Sequence, residues 1–245
     1  CPIPDYVEKH LSIARSSLLE AVAESSEELM EKYFAGEEFT TEEIQSALRE
    51  NVKQCNIAPI LMGSGIHVQG FNVLLQVIDK YFPSPKELEA IGVDASTGEH
   101  FTAHYNDEAT ISGRVWKTIA DPFLGKYSLF KICTGVLKAN SEVYNVNKEA
   151  TEKIGKLYVL RGNTPIEVPE LKSGDLGAVA KLSITETGDS IAVRNAPIIY
   201  HAPKISTPYT YMAYTAENKA DEDKLSTALQ RMMEEDRTLK VKAEE

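Results

Sequence analysis

The hydrophobic period of this chain changes once, and that change limits what it can fold into. Up to Tyr81 apolar residues recur at helical spacing, whereas from Ala109 they alternate every second residue. One helical part must therefore precede one antiparallel β part. In the first part Val7, Leu11, Ala14, Leu18 and Val22 form a stripe, followed by Leu29, Tyr33 and Phe34. Ser25-Ser26-Glu27-Glu28 has the Ser-x-x-Glu form of a capping box, Gly36 stands where a left-handed helix end belongs, and Thr40-Thr41-Glu42-Glu43 repeats the start signal before Ile44, Ala47, Leu48 and Val52. Three helices are predicted. Residues 57–62 then read as a buried strand, 63–70 as a glycine loop, and Phe71 to Tyr81 as a helix that Phe82-Pro83-Ser84-Pro85 ends, because proline lacks the ladder donor.

Residues 86–107 are polar and rich in turn formers (DASTGEH), and read as a linker between units. Over 108–203 the segments TISGRVWKTI, YSLFKICTGVLK, EVYNV, GKLYVLRG, PIEVPEL, LGAVAKLS and SIAV are short and β-branched or aromatic. They are punctuated by DPFLG, ANSE, KSGD and ETGD, which predicts a small antiparallel barrel. The remainder, 204–245, reads strand (207–216), helix (220–235) and strand (238–242), half of a split β-α-β unit.

The 245 residues carry a formal net charge of −11, which disfavours broad electrostatic capture of nucleic acid; DNA is not an expected partner. No run approaches the ~18–20 apolar residues of a membrane span, and the first ten residues lack the order of a signal peptide, so a soluble, cytoplasmic protein is expected. Cys1, Cys55 and Cys133 are far apart and odd in number, and are expected to be reduced thiols. The start without methionine, and an end that follows a predicted strand with neither turn nor cap, suggest a piece of a longer protein.

The stretch 60–70, ILMGSGIHVQG, raises the functional question. A dinucleotide fingerprint needs a third glycine where Val68 stands, and a phosphate-binding P-loop needs G-x-x-x-x-G-K-[ST], which the chain does not contain. Two readings stay open. Either the loop is a tight strand-to-helix turn, or small residues at Ser64 and Gly65 let a purine approach a backbone N–H closely. Asn218-Lys219-Ala220-Asp221 spells the guanine-specificity motif of GTPases, but it lies after the glycine loop and beyond the predicted barrel, so it is read as capping the helix that carries Leu225 and Leu229.

Of five histidines (His10, His67, His100, His104, His201) only His100 and His104 share a ligand-like spacing, and no third ligand is in view, so no metal site is expected. No Ser-His-Asp or Cys-His set has motif context, and no catalytic residue is assigned. Trp116, Phe123 and Phe130 interleave with Arg114, Lys117 and Lys131, a mix that could contact RNA but reads first as core on one barrel face and water on the other.

Along nearly its whole length the sequence resembles elongation factor G and its paralogues among the ribosomal translational GTPases. AVAESSEELMEKYFAGEEFTTEEIQSALRENV is similar to the end of the family's G domain, and PILMGSGIHVQGFNVLLQVIDKYFPSP to its last strand, base loop and helix. DPFLGKYSLFKICTGVL, LKSGDLGAV and ETGDS are similar to the second-domain barrel, and ENKADEDKLSTALQRMMEEDRTLKV to the opening of the third domain. The resemblance implies the C-terminal part of a P-loop GTPase domain (1–85), a linker (86–107), a translation-factor β-barrel (108–203) and a partial ferredoxin-like unit (204–245). It further implies a parent that hydrolyses GTP with Mg2+ on the ribosome to drive translocation of tRNA and mRNA, its barrel touching small-subunit ribosomal RNA. A ribosome-protection or release factor is the alternative parent.

By the same resemblance Ser64 and Gly65 stand at the Ser-Ala of the guanine loop, and His67-Val68-Gln69 replaces the family's Lys-Asn-Lys. The P-loop and switch regions would lie before Cys1, so no nucleotide is expected on this chain alone. Self-association through helix faces left uncovered before Pro83 is expected instead.

Overall fold

The structure is a computed structural model that describes residues 4–121, 125–162, 164–202, 204–216 and 218–242. Cys1, Phe123 and the last three residues, which enter the sequence reading above, lie outside them. The chain divides into two compact units, Cys1–Ser84 and Pro85–Glu245.

The first unit is helical: α1 (Asp5–Ala23), α2 (Glu27–Phe34), α3 (Thr41–Lys53) and α4 (Phe71–Tyr81). The two serines at the first break divide the work. Ser25 donates its hydroxyl to the Val22 carbonyl (2.6 Å) and closes α1, while Ser26 accepts from the Leu29 amide (3.2 Å) and opens α2. The Thr40–Glu43 capping box is complete, with Glu43 N donating to Thr40 Oγ1 (3.2 Å) and Thr40 N to Glu43 Oε2 (2.7 Å). Lys32 reaches the same carboxylate at 2.8 Å, and its hydrogen bond together with that of the Thr40 amide lowers the Glu43 pKa to about 2. Among the described residues Val22, Ala23 and Ala47 are the buried apolar ones here, and Arg49 ties α3 to the end of α4 by donating to the Lys80 carbonyl at 2.8 Å.

Residues 57–62 correct the sequence reading: they form no strand, and Ile60 and Met62 are 88% and 94% exposed. A strand exists through the ladder it shares with a neighbour, and no described strand pairs with this segment. Helix α4 has no buried residue, although Phe71, Leu74, Leu75 and Ile78 mark an apolar face.

In the second unit the predicted linker contains a hairpin, β1 (Ala90–Asp94) and β2 (His100–Ala103), whose turn is the segment DASTGEH. Asp94 accepts from the Ser96 amide at 2.7 Å, and Gly98 takes φ +74°. The turn formers read as a connector because the strands flanking them are only five and four residues long. Strand β1 also pairs with β13 (Ile198–Tyr200), making a three-stranded sheet.

The main sheet is antiparallel, in the order β7-β6-β12-β3-β4-β11-β8-β9. The strands are β3 (Ser112–Asp121), β4 (Gly125–Thr134), β6 (Glu142–Asn145), β7 (Ala150–Lys153), β8 (Leu157–Arg161), β9 (Thr164–Val168), β11 (Leu176–Ala180) and β12 (Ser190–Ala192); β5 (Leu137–Lys138) and β10 (Glu170–Leu171) pair separately. This is the antiparallel barrel of the sequence reading, with β7 added. Its interior holds Val115, Phe130, Ile132, Leu137, Leu157 and Ile191, supplied by alternate positions of facing strands.

The mixed aromatic and basic run resolves at a bulge. Pairing jumps from Val115↔Phe130 to Lys117↔Leu129, leaving Trp116 as the extra residue, 46% exposed, while Phe130 is fully buried. On the outside of β3 and β4 the three-stranded sheet covers Cys133 and Ser112, and the Ser112 hydroxyl lies 2.6 Å from both Thr134 Oγ1 and Tyr200 Oη.

Glu152, on the edge strand β7, is 8% exposed and its carboxylate accepts five hydrogen bonds from 183–185. The donors are the amides of Ser183 (2.5 Å), Ile184 (3.0 Å) and Thr185 (3.2 Å) and the hydroxyls of Thr185 (2.6 Å) and Ser183 (3.3 Å). A side chain thus satisfies backbone donors that would otherwise need a further strand.

Beyond the barrel, the predicted helix forms as a 3-10 turn (Lys219–Asp221) running into α5 (Glu222–Glu235). The strands predicted at 207–216 and 238–242 do not form, and Tyr209 and Tyr211 are 93% and 98% exposed. Here too, no described strand lies beside them.

Candidate functional site

Loop 63–70 is closed on itself. Ser64 N donates to the Gln69 carbonyl (3.0 Å) and Gln69 N to the Ser64 carbonyl (3.1 Å), a narrow antiparallel bridge. Ser64 Oγ accepts from the His67 amide at 3.2 Å, which shapes the tip. Crossing so tightly requires glycine at both ends. A Cβ on Gly63 would lie 2.7 Å from the Gln69 carbonyl oxygen, and one on Gly70, at φ +80°, would lie 2.8 Å from that of Met62. Val68 takes φ +54°, a region β-branched residues rarely occupy.

Gly65 differs from its neighbours. A Cβ there would meet nothing within 4 Å, and its φ is not positive. Its amide has no hydrogen-bond acceptor among the described residues. Of the two predicted site residues, Ser64 uses its amide to close the loop, while Gly65 leaves its own unengaged, as Ile66 and Val68 do. Such a turn can offer exposed backbone N–H groups to a planar acceptor. The side chains around it, Ile66 and Val68, are 91% and 67% exposed and contribute apolar surface and no charge.

The remaining candidates separate. Asn218 and Asp221 stand before the 3-10 turn and α5, but neither makes a side-chain cap bond, which corrects the expected capping. Asp221 Oδ1 instead accepts from Lys224 at 2.9 Å, and Asn218 Nδ2 reaches Asp221 Oδ2 at 3.5 Å. His104 Nδ1 sits 3.2 Å from Glu89 Oε1, and among the described residues no three His, Cys, Asp or Glu side chains converge as a metal would need. Cys55 is exposed and Cys133 buried, both as thiols; burial pushes the Cys133 pKa up. No helix among the described residues is long and apolar enough to cross a membrane.

Sequence reasoning missed the roles of Gly70 and Glu152. The Gly-x-Gly and the Gly directly before the helix mark a tight turn, but not which glycine takes positive φ. A glutamate in the polar run Ala150–Lys153 carries no local sign, because its partners lie more than thirty residues on.

Comparison with known proteins gives this geometry a context. Residues 110–194 match the family model described as elongation factor G domain 2, and residues 205–245 match that of elongation factor G domain III. Together the two matches span just over half of the chain. The crystal structure of ttk003000868 from Thermus thermophilus superposes with a TM-score of 0.75 at 26% sequence identity, covering 100% of this chain and 34% of that one. The chain therefore spans about a third of the length of that protein.

Proposed function

Because the chain belongs to the elongation factor G family, we propose that it is the part of a ribosomal translational GTPase that joins the guanine-reading loop to the ribosome-facing barrel. In the full-length protein, GTP hydrolysis in the cytoplasm would drive movement of tRNA and mRNA, with the barrel against small-subunit ribosomal RNA. The observation that carries this reading is the consecutive order of the two domain matches, behind a helical unit that ends in an exposed glycine loop.

The fit to a guanine nucleotide is partial. The unengaged Gly65 amide, on an exposed residue, suits the edge of a purine, which needs a donor at its carbonyl oxygen. Nothing in the 245 residues has the G-x-x-x-x-G-K-[ST] form that cradles phosphates and places a hydroxyl on magnesium. Phosphates and Mg2+ would be held by other residues of the parent. Glycine at 65 and His67-Val68-Gln69 beside it depart from the family's alanine and Lys-Asn-Lys, and these departures favour a diverged paralogue, with a ribosome-protection or release factor as the second reading.

Cosedimentation with purified ribosomes and with isolated small subunits tests the proposal. Binding to small subunits that weakens with added salt is expected, since phosphate contacts release counterions. Absence of binding at low salt would defeat it. Calorimetry with GDP separates a second issue: a micromolar dissociation constant would mean that the chain holds nucleotide unaided, against the expectation of none.

A further inference from the structure

Segment 183–189, between β11 and β12, is held from two sides. From the barrel, Glu152 gathers the amides of 183–185 as described above. Asn145, fully buried, donates to Thr185 Oγ1 (3.1 Å) and Asp189 Oδ2 (2.8 Å), and the hydroxyls of Thr118 and Thr187 lie 2.8 Å apart. From the opposite side Arg237, two residues beyond α5, donates through Nη1 to the Thr187 carbonyl. Gly188 makes that approach feasible. It takes φ +95°, and a Cβ there would lie 2.8 Å from Arg237 Nη1 and 3.2 Å from Ala202 Cβ.

Charge and local geometry agree with the contact. Lys148 hydrogen-bonds Glu186 at 2.9 Å, and that bond, with the nearby charges of Lys148, Arg237 and Lys126, holds the Glu186 carboxyl below the usual range. Asp236 accepts from both the amide (2.9 Å) and hydroxyl (2.6 Å) of Thr238, a turn that sets the backbone on either side of Arg237. Helix α5 lies against β3 but has no buried residue and no side-chain N-cap bond, so a further polar anchor adds to its hold on the barrel.

We propose that segment 183–189 is a docking seat through which the barrel holds the C-terminal helix, with Arg237 as its anchor and Glu152 as the positioning residue that shapes the seat. Glu152 does not touch α5. It fixes the three residues that lead into Thr187 and Gly188, so the carbonyl that receives Arg237 is placed in part by a carboxylate on β7. Coupling of this kind is reciprocal: loosening the Glu152 contacts releases α5, and pulling α5 away loosens the segment. All of these contacts lie within the second unit and owe nothing to the ribosomal reading.

Amide hydrogen exchange of the whole chain tests it, read at 222–235 and at 183–189, for Arg237→Met, Glu152→Gln and the double variant. Each single variant is expected to speed exchange across α5 about tenfold, the worth of one charge-assisted hydrogen bond. The double variant should add no more than the larger single effect, because both break one linkage. Unchanged exchange of α5 in Arg237→Met, or effects that multiply in the double variant, would overturn the proposal. Should Glu152→Gln fail to fold, Ser183→Ala removes one hydroxyl donor to Glu152 and must speed α5 exchange by a smaller factor. Faster exchange confined to 183–189, with α5 unmoved, would equally defeat it.

Discussion

Replacing Glu152 by glutamine changes one atom and leaves the shape of the side chain intact, so its effect reports the carboxylate itself. In the wild type Oε1 serves the amides of Ser183 and Ile184 and the Ser183 hydroxyl, while Oε2 serves the amide and hydroxyl of Thr185. A glutamine can keep its oxygen toward Ser183 and Ile184, and its NH2 can donate to the Thr185 hydroxyl. The Thr185 amide is then left facing a donor. One buried orphan N–H costs about 1–3 kcal/mol, and weakening of the remaining bonds on loss of charge adds roughly 1 kcal/mol, giving about 3 kcal/mol in all. For a domain of this size that is a fall in melting temperature of about 6–12 °C.

Thermal unfolding followed by the fluorescence of Trp116, the one tryptophan of the chain, reads the barrel directly. Acid adds a second arm. Burial raises the Glu152 pKa, but hydrogen bonds from the Thr185 hydroxyl and the amides of Ile184, Ser183 and Thr185 outweigh it and the net shift is downward. A depressed folded value means that the stabilisation is complete above the ordinary carboxylate pKa and drains away as pH falls through the folded one. The gap between wild type and variant should therefore close in acid. A fall of less than about 2 °C at neutral pH, the size of an ordinary surface substitution, would refute the assignment of Glu152 as a closure of the barrel wall.

Three further outcomes are expected. Gly70→Ala, at φ +80° with the Met62 carbonyl 2.8 Å from the new Cβ, should destabilise the helical unit by about 1–3 kcal/mol, whereas Gly65→Ala should be neutral or slightly stabilising; equal effects by circular dichroism would contradict the loop geometry. Glu43 has a pKa of about 2, so the helical unit should lose stability as pH drops from the ordinary carboxylate range toward that value, and Glu43→Gln should abolish this dependence in acid titrations. The exposed face of α4, with Phe71, Leu74, Leu75 and Ile78 at 38–58% exposure, should give concentration-dependent sedimentation that Leu75→Lys reduces; a monodisperse monomer at all concentrations would count against it.

The helices are legible because their signals are local. Ser26, Gly36 and the Thr40–Glu43 pair each act on backbone groups within four residues, and period alone separates helix from strand. The barrel strands are legible for the same reason, with β7 lost because Ala-Thr-Glu-Lys has neither β-branched alternation nor an aromatic residue. Readings of 57–62, 207–216 and 238–242 as strands fail together, and for one cause: apolar and aromatic composition states a capacity to pair, and pairing needs a second strand. At the candidate site the glycine loop is visible as a motif, but which amide is engaged and which is open is not, since the Ser64–Gln69 bridge appears only when the loop closes.

Order along the chain was enough to set the succession of the parts, the helix caps at Ser26 and Thr40, the placement of apolar residues on alternate barrel positions, and the family to which the chain belongs, because each depends on neighbours a few residues apart or on long matching stretches. Folding in three dimensions was needed to turn Trp116 outward at a bulge, to leave the amide of Gly65 rather than Ser64 open, to close the barrel wall with Glu152, and to bring Arg237 to the segment Glu152 holds. Those outcomes depend on hydrogen-bond donors and acceptors brought together from distant positions, where a group's role is set by what is left to satisfy it once the backbone has folded.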